Sequence, residues 1–125
     1  MNLPNFSQFT PAQQQSLFEL LILTMYADGQ LTAIEDEYLR KFLEAMGYEE
    51  SDRQREFDAT VTRTRPHLQS ISSAKRRMVE LAEVFTTRQQ HLQVYRVVED
   101  MVLSDGHVAG WESELLSELR MKFRV

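Results

Sequence analysis

The sequence predicts an all-α fold: a single compact domain of six to seven helices that contains two pseudo-symmetric helix–Asp-Gly turn–helix repeats. Three observations lead there. The chain repeats itself, because Met25-Tyr-Ala-Asp28-Gly29-Gln-Leu31 precedes Glu35 and Glu37, and 77 positions later Val102-Leu-Ser-Asp105-Gly106-His-Val108 precedes Glu112 and Glu114. No segment alternates apolar and polar residues between hairpin signals, so strands are not indicated. Helix start and stop signals, in contrast, recur along the whole chain.

Each element has its own warrant. Thr10-Pro11 supplies an N-cap with proline at the first helical position, and the first helix runs to about residue 27. Leu17, Leu20, Leu21, Thr24 and Met25 form its apolar stripe, and Asp28-Gly29 ends it with a glycine suited to left-handed backbone. Thr32-Ala-Ile-Glu35 is a capping box opening a second helix, apolar on one face as far as Met46 and stopped by Gly47. Ser51 opens a polar third helix that Pro66 ends near Arg65, and the stretch 65–70 has room for a seventh helical turn. A fourth helix begins near Ser72 and Ser73, with Met78, Leu81, Ala82 and Phe85 facing inward. Thr87-Arg-Gln-Gln90 opens a fifth, whose Val94, Tyr95, Val98, Met101 and Val102 face the core. Asp105-Gly106 ends it, and the last runs from about Gly110 to Phe123.

The apolar positions of the two repeats match in step: Ile34 with Trp111, Tyr38 with Leu115, Leu39 with Leu116, Phe42 with Leu119 and Met46 with Phe123. Neither helix pair can bury its own stripe, so the pairs are expected to pack together with the third and fourth helices bridging them. The domain is read as residues 1–125, with repeat one at about 11–46 and repeat two at about 88–123.

Composition narrows the function classes. The 125 residues contain no cysteine, which removes disulfides, thiolate catalysis and cysteine-ligated zinc. The N-terminus lacks a basic region followed by an apolar run, so no signal peptide is read there. The apolar run 17–27 is broken by Glu19 and Thr24 and is too short to span a bilayer. A soluble cytoplasmic protein, not an integral membrane protein, is the expectation. The net charge of −5 is uneven: −7 over residues 1–52, +4 over 53–88 and −2 over 89–125. An acidic total argues against a nucleic-acid binder. The basic middle is expected to be a solvated face that balances the acidic ends.

The corners carry the chemistry. In each, two carboxylates stand seven residues apart: Asp28 and Glu35, then Asp105 and Glu112. The second half of an EF-hand loop has this order, but its first and third ligand positions would fall on Thr24 and Tyr26 in one copy and Met101 and Leu103 in the other. Apolar residues there exclude a conventional calcium loop. Aspartate before glycine is ordinary turn chemistry, and Glu35 has a complete role as partner of Thr32 in the capping box. Glu112 is present although its matching cap position is Ala109, which has no hydroxyl. If the repeats pack about a pseudo-twofold, Asp28, Glu35, Asp105 and Glu112 gather at one end, and a divalent cation (calcium, zinc or manganese) would neutralise them. His67, His91 and His107 show no ligand spacing, although His107 lies in the second corner beside Asp105. No nucleophile elbow or glycine-rich phosphate loop is present.

The segments MYADGQLTAIEDEYLRKFLEAMG and VLSDGHVAGWESELLSELRMKF resemble the two signatures of the TerB-like domain, named after the tellurite-resistance protein TerB. The resemblance runs from about Leu17 to Phe123. It implies an all-α domain of about seven helices with pseudo-twofold repeats, and a divalent-metal cluster that maps to Asp28, Glu35, Asp105 and Glu112. It further implies a bacterial role in resistance to tellurite and other stresses, in complexes with other Ter-type or membrane-associated proteins or as a sensory module. The second repeat departs from the pattern at Ala109-Gly110, where the first has Thr32-Ala33.

The function expected from these readings is therefore a non-enzymatic binding or sensory module of the stress response, with a protein partner and a metal site. A purely structural docking domain without metal is the alternative. A small hydrolase-type enzyme using the carboxylates would require a pocket joining the two corners.

Overall fold

Six α-helices make up the regular structure in the computed structural model, which describes residues 8–26, 31–103 and 110–125. They are α1 (Pro11–Met25), α2 (Ala33–Ala45), α3 (Glu50–Thr64), α4 (Ile71–Ala82), α5 (Arg88–Leu103) and α6 (Gly110–Phe123), with a 3-10 turn at Arg65–Leu68 following α3. No strand occurs among the described residues.

The helix starts follow local chemistry. Thr10 caps α1, accepting from the Gln13 backbone N–H at 3.1 Å, while the Gln13 side chain accepts from the Thr10 N–H at 3.0 Å. Thr32 and Glu35 make the same reciprocal pair at α2. Ser70 accepts from the Ser73 N–H to open α4, two residues before the first of the serines expected to do so. Thr87 and Gln90 open α5. The expectation for α3 was off by two: Glu49, not Ser51, caps it, without a side-chain bond, and it begins at Glu50. Glu50 and Asp52 in that first turn complement the helix dipole instead.

α1 is the hub. Its expected stripe is replaced by complete burial, since all nine residues from Leu17 to Met25 are buried. The reason is position: α1 packs against α2, α3, α4, α5 and α6, so it has no solvent face over this stretch. Phe18 lies against Phe42 of α2 and Phe57 of α3, with ring centroids 6.0 and 6.3 Å away. Thr24 satisfies its buried hydroxyl by donating to the Leu20 carbonyl at 2.8 Å. Each fully buried leucine or phenylalanine here contributes about 1.5–3 kcal/mol of transfer free energy.

Pairwise contacts give the helix directions. Gln13 near the start of α1 donates to the Val84 carbonyl just past α4, so these helices are antiparallel. Lys75 meets Glu114 near the starts of α4 and α6, and Lys122 meets Glu83 near their ends, so α4 and α6 run the same way. The start of α1, the end of α4, the start of α5 and the end of α6 therefore share one end of the bundle. Phe9 stacks edge-on against Phe85 (5.6 Å), Phe85 against Phe123 (6.5 Å), and His91 lies flat on Phe123 at 4.4 Å. The His91 Nε2–H donates to the Phe85 carbonyl at 2.7 Å, which assigns His91 a packing role.

Both α2 and α6 stop on a left-handed residue. Gly47 has φ +97° and the Tyr48 N–H reaches back to the Leu43 carbonyl at 3.1 Å; Arg124 has φ +57° and the Val125 N–H reaches the Arg120 carbonyl at 3.3 Å.

The matched apolar positions divide. Tyr38 and Leu115 are both buried, as are Phe42 and Leu119. Leu39 and Phe123 are buried while their counterparts Leu116 and Met46 are only partly so. Ile34 is 54 % exposed and Trp111 partly buried, so the core role expected for this pair is corrected. Tyr95, expected in the core, is likewise only partly buried and donates its hydroxyl to Glu99 at 3.2 Å.

Candidate functional site

The corner end is framed by the end of α1, the start of α2, the end of α5 and the start of α6. The backbone of α1 closes at Tyr26, whose N–H donates to the Ile22 carbonyl. α2 is capped six residues later by Thr32, whose hydroxyl accepts from the Glu35 N–H at 3.1 Å while the Glu35 carboxylate accepts from the Thr32 N–H at 2.9 Å. Glu35 is only 3 % exposed, and Glu112, in the first turn of α6, is also 3 % exposed. A carboxylate at the third position of a surface helix ordinarily faces water, so burial at both positions is distinctive.

Asp28 and Asp105, with Gly29, Gly106 and His107, lie outside the described residues. Among the described residues, no group of three or more histidine, aspartate or glutamate side chains could hold a metal ion. Of the expected quartet, the structure thus describes Glu35 and Glu112 alone.

Burial, and second the nearby Asp100 carboxylate, push the Tyr38 hydroxyl up to about 12. Tyr38 stands one turn beyond Glu35 on α2, and Asp100 one turn before the end of α5. The starts of α1 and α5 meet at Phe85, at the opposite end of the bundle, and the two helices pack together, so they run in the same direction.

Sequence reasoning missed the most strongly organised polar site. Glu19 appeared only as an interruption of an apolar run. In the structure it is 3 % exposed and accepts from Arg77 Nε at 2.6 Å and from Arg63 Nε at 3.1 Å. Arg63 also donates to the Thr60 hydroxyl, and Arg77 to Glu80. Burial alone would push the Glu19 carboxyl up, but the two guanidinium groups outweigh it and hold the carboxyl below its ordinary value. The same carboxylate raises Arg77. This triad ties α1 to α3 and α4. A glutamate inside nine otherwise apolar or hydroxyl residues was the available signal, because a buried charge requires a partner.

The basic segment is also more engaged than a solvated face. Besides Arg63 and Arg77, Arg53 donates to the Tyr48 carbonyl at 3.0 Å. Arg88 caps the end of α6 through the Arg124 carbonyl at 2.6 Å. Lys75 pairs with Glu114, while Arg55 makes a loose, exposed pair with Asp52.

Two open grooves occur away from the corners. One, of about 250 Å³, lies between the start of α1 and the end of α2, against Pro11, Gln14, Met46 and Tyr48. The other, of about 550 Å³, follows the end of α6 past Ser117, Arg120 and Met121. Neither includes Glu35 or Glu112. No helix among the described residues is long and apolar enough to cross a membrane.

No family model, curated protein or solved structure matches this chain.

Proposed function

We propose that the protein is a non-enzymatic, TerB-like binding module of the bacterial cytoplasm, active in a stress response of the tellurite-resistance type. Its ligand at the corner end is a divalent cation (calcium, zinc or manganese) that Asp28, Glu35, Asp105 and Glu112 would share, and it acts through a protein partner. The observation that carries this reading is the burial of Glu35 and Glu112 to the same degree in the first turns of α2 and α6. Glu35 already accepts from the Thr32 N–H, and a cation shared with the corner aspartates would further offset the cost of withdrawing these carboxylates from water.

The pseudo-symmetric repeat behind this reading has support at the 77-residue offset. α2 begins at Ala33 and α6 at Gly110, and their left-handed ends fall on Gly47 and Arg124. The meeting of the starts of α1 and α5 at Phe85, at the opposite end, supports corners that share one end of the bundle.

Calorimetric titration with calcium, zinc and manganese tests the metal. Saturable binding is expected, weakened by Asp28→Asn and by Asp105→Asn. Absence of both heat and thermal shift with all three ions would remove the cation from the proposal.

The complete Thr32–Glu35 capping box favours a second reading, a docking domain in which the corner acids only cap helices. In that case the two asparagine variants change stability slightly and lose no ligand.

A further inference from the structure

We infer that two copies of this chain dock end to end, each seating the Met121 face of α6 in the groove between α1 and α2 of the other. Both features lie at the end of the bundle where α1 starts. The groove measures about 250 Å³ against Pro11, Gln14, Met46 and Tyr48, room for a side chain but below the size of small-molecule pockets. Gly47 keeps it open, because a Cβ added there would meet nothing within 4 Å. Met121 is 66 % exposed, more than any other large apolar side chain among the described residues. It stands between Arg120 and Arg124 at the end of α6, on a face that Ser117 extends. Val84, just past α4, is a further exposed apolar side chain at this end. Methionine suits such a contact, since its flexible thioether fills irregular gaps.

Charge selects the occupant. Residues 42–52 carry four carboxylates and no base, and the α1 wall of the groove, residues 8–18, is uncharged. Glu44, Glu49 and Glu50 are exposed and make no ion pair among the described residues, while Asp52 has only a loose one with Arg55. Even with Arg53 and Arg55 counted, residues 42–55 keep a charge of −2. The α6 face has the opposite sign. Residues 117–125 carry a side-chain charge of +2, and residues 83–99, which include the adjoining start of α5, are neutral overall. Lys122 is taken by Glu83. Arg120 donates to the Val125 carbonyl, and neither it nor Arg124 pairs with a carboxylate side chain among the described residues. The two left-handed helix ends thus diverge: Gly47 leaves space, whereas Arg124 displays a guanidinium. An acidic partner would complement only the α6 face, and a basic one only the groove. A second copy turned about a twofold axis satisfies both at once.

This inference goes beyond the binding-module reading and does not involve its cation, so the test is run in EDTA. Sedimentation equilibrium of the full chain should show a monomer–dimer equilibrium that weakens as salt rises. Glu44→Lys/Glu49→Lys reverses the charge of the groove, and Arg120→Glu/Arg124→Glu reverses that of the α6 face. Each double variant should raise the dimer dissociation constant at least tenfold, as like charges then face each other. Mixed in equal amounts, the two variants should dimerise again, because both contacts regain opposite signs. Met121→Ser should weaken the dimer without any change of charge, and Ile34→Ser, at the corner end, should leave it intact. Circular dichroism confirms that each variant folds. The proposal is overturned if the wild type sediments as a monomer at every concentration, or if the reversed variants dimerise like it. It is equally overturned if mixing them restores nothing, if Met121→Ser weakens the dimer no more than Ile34→Ser, or if assembly continues past two chains.

Discussion

The two ends of the bundle share α1, α5 and α6 and treat their apolar side chains in opposite ways. At the aromatic end, Phe9, Phe85, His91 and Phe123 stack on one another, and Arg88 covers the carbonyls where α6 stops. At the corner end, Ile34 and Leu103 are more than half exposed, while Glu35 and Glu112 are buried. The difference separates two duties. One end closes the core and fixes helix directions, while the other leaves two large apolar side chains in solvent. Substitutions should therefore be severe at the first and mild at the second, even between residues of similar size.

The largest effect is expected at the closed end. Phe123→Ala removes a ring that touches both Phe85 and His91 and should cost about 3–5 kcal/mol in urea unfolding. Next comes the middle of the bundle, where Glu19→Gln keeps shape but withdraws the charge that Arg63 and Arg77 share. A loss of about 2 kcal/mol is expected, below the value for a fully buried pair because Arg63 is 45 % exposed. Its pH signature has a definite sign. The folded carboxyl lies below its ordinary value of 4.5, so the wild-type stabilisation is complete above that pH and disappears as pH falls through the folded value. Glu19→Gln should lack this acid-range loss, and identical slopes in the two proteins would contradict the assignment.

Gly47→Ala should cost about 1 kcal/mol, because its left-handed backbone penalises a side chain although nothing lies within 4 Å of the added carbon. Smallest of all, Ile34→Ser and Leu103→Ser should each change stability by less than about 0.5 kcal/mol. A loss comparable to that of Phe123→Ala would make the corner side chains structural and erase the distinction between the ends.

Much of the fold was legible because helix punctuation is local. Thr10, Thr32 and Thr87 act through hydrogen bonds three residues away, and Gly47 acts through its own φ, so a linear reading finds them. The burial of Phe42, Leu115 and Leu119 followed from periodicity alone. Three-dimensional consequences were harder. Periodicity gave α1 one buried face, whereas five neighbouring helices surround it; no pattern within 15 residues reports how many neighbours will arrive. Ile34 and Trp111 occupy apolar positions in register, yet both sit in a first turn, where Ile34 is more than half exposed and Trp111 packs only partly buried on the edge of the core. The Glu19 triad joins residues 44 and 58 positions apart, so its partners could not be chosen from sequence even though the need for them could. The candidate site was legible as a spacing of carboxylates, and the burial of Glu35 and Glu112 was not, because first-turn acids are ordinarily solvated.

The encirclement of α1 has a consequence for biosynthesis. Residues 17–25 leave the ribosome before α4, α5 and α6 exist to cover them, so the nascent chain carries a greasy rod with one charged notch at Glu19. Until the later helices are translated, that rod is a natural target for holdase chaperones and a seed for aggregation. Truncations that stop short of α6 should therefore accumulate in inclusion bodies, whatever the merits of the hairpins they retain.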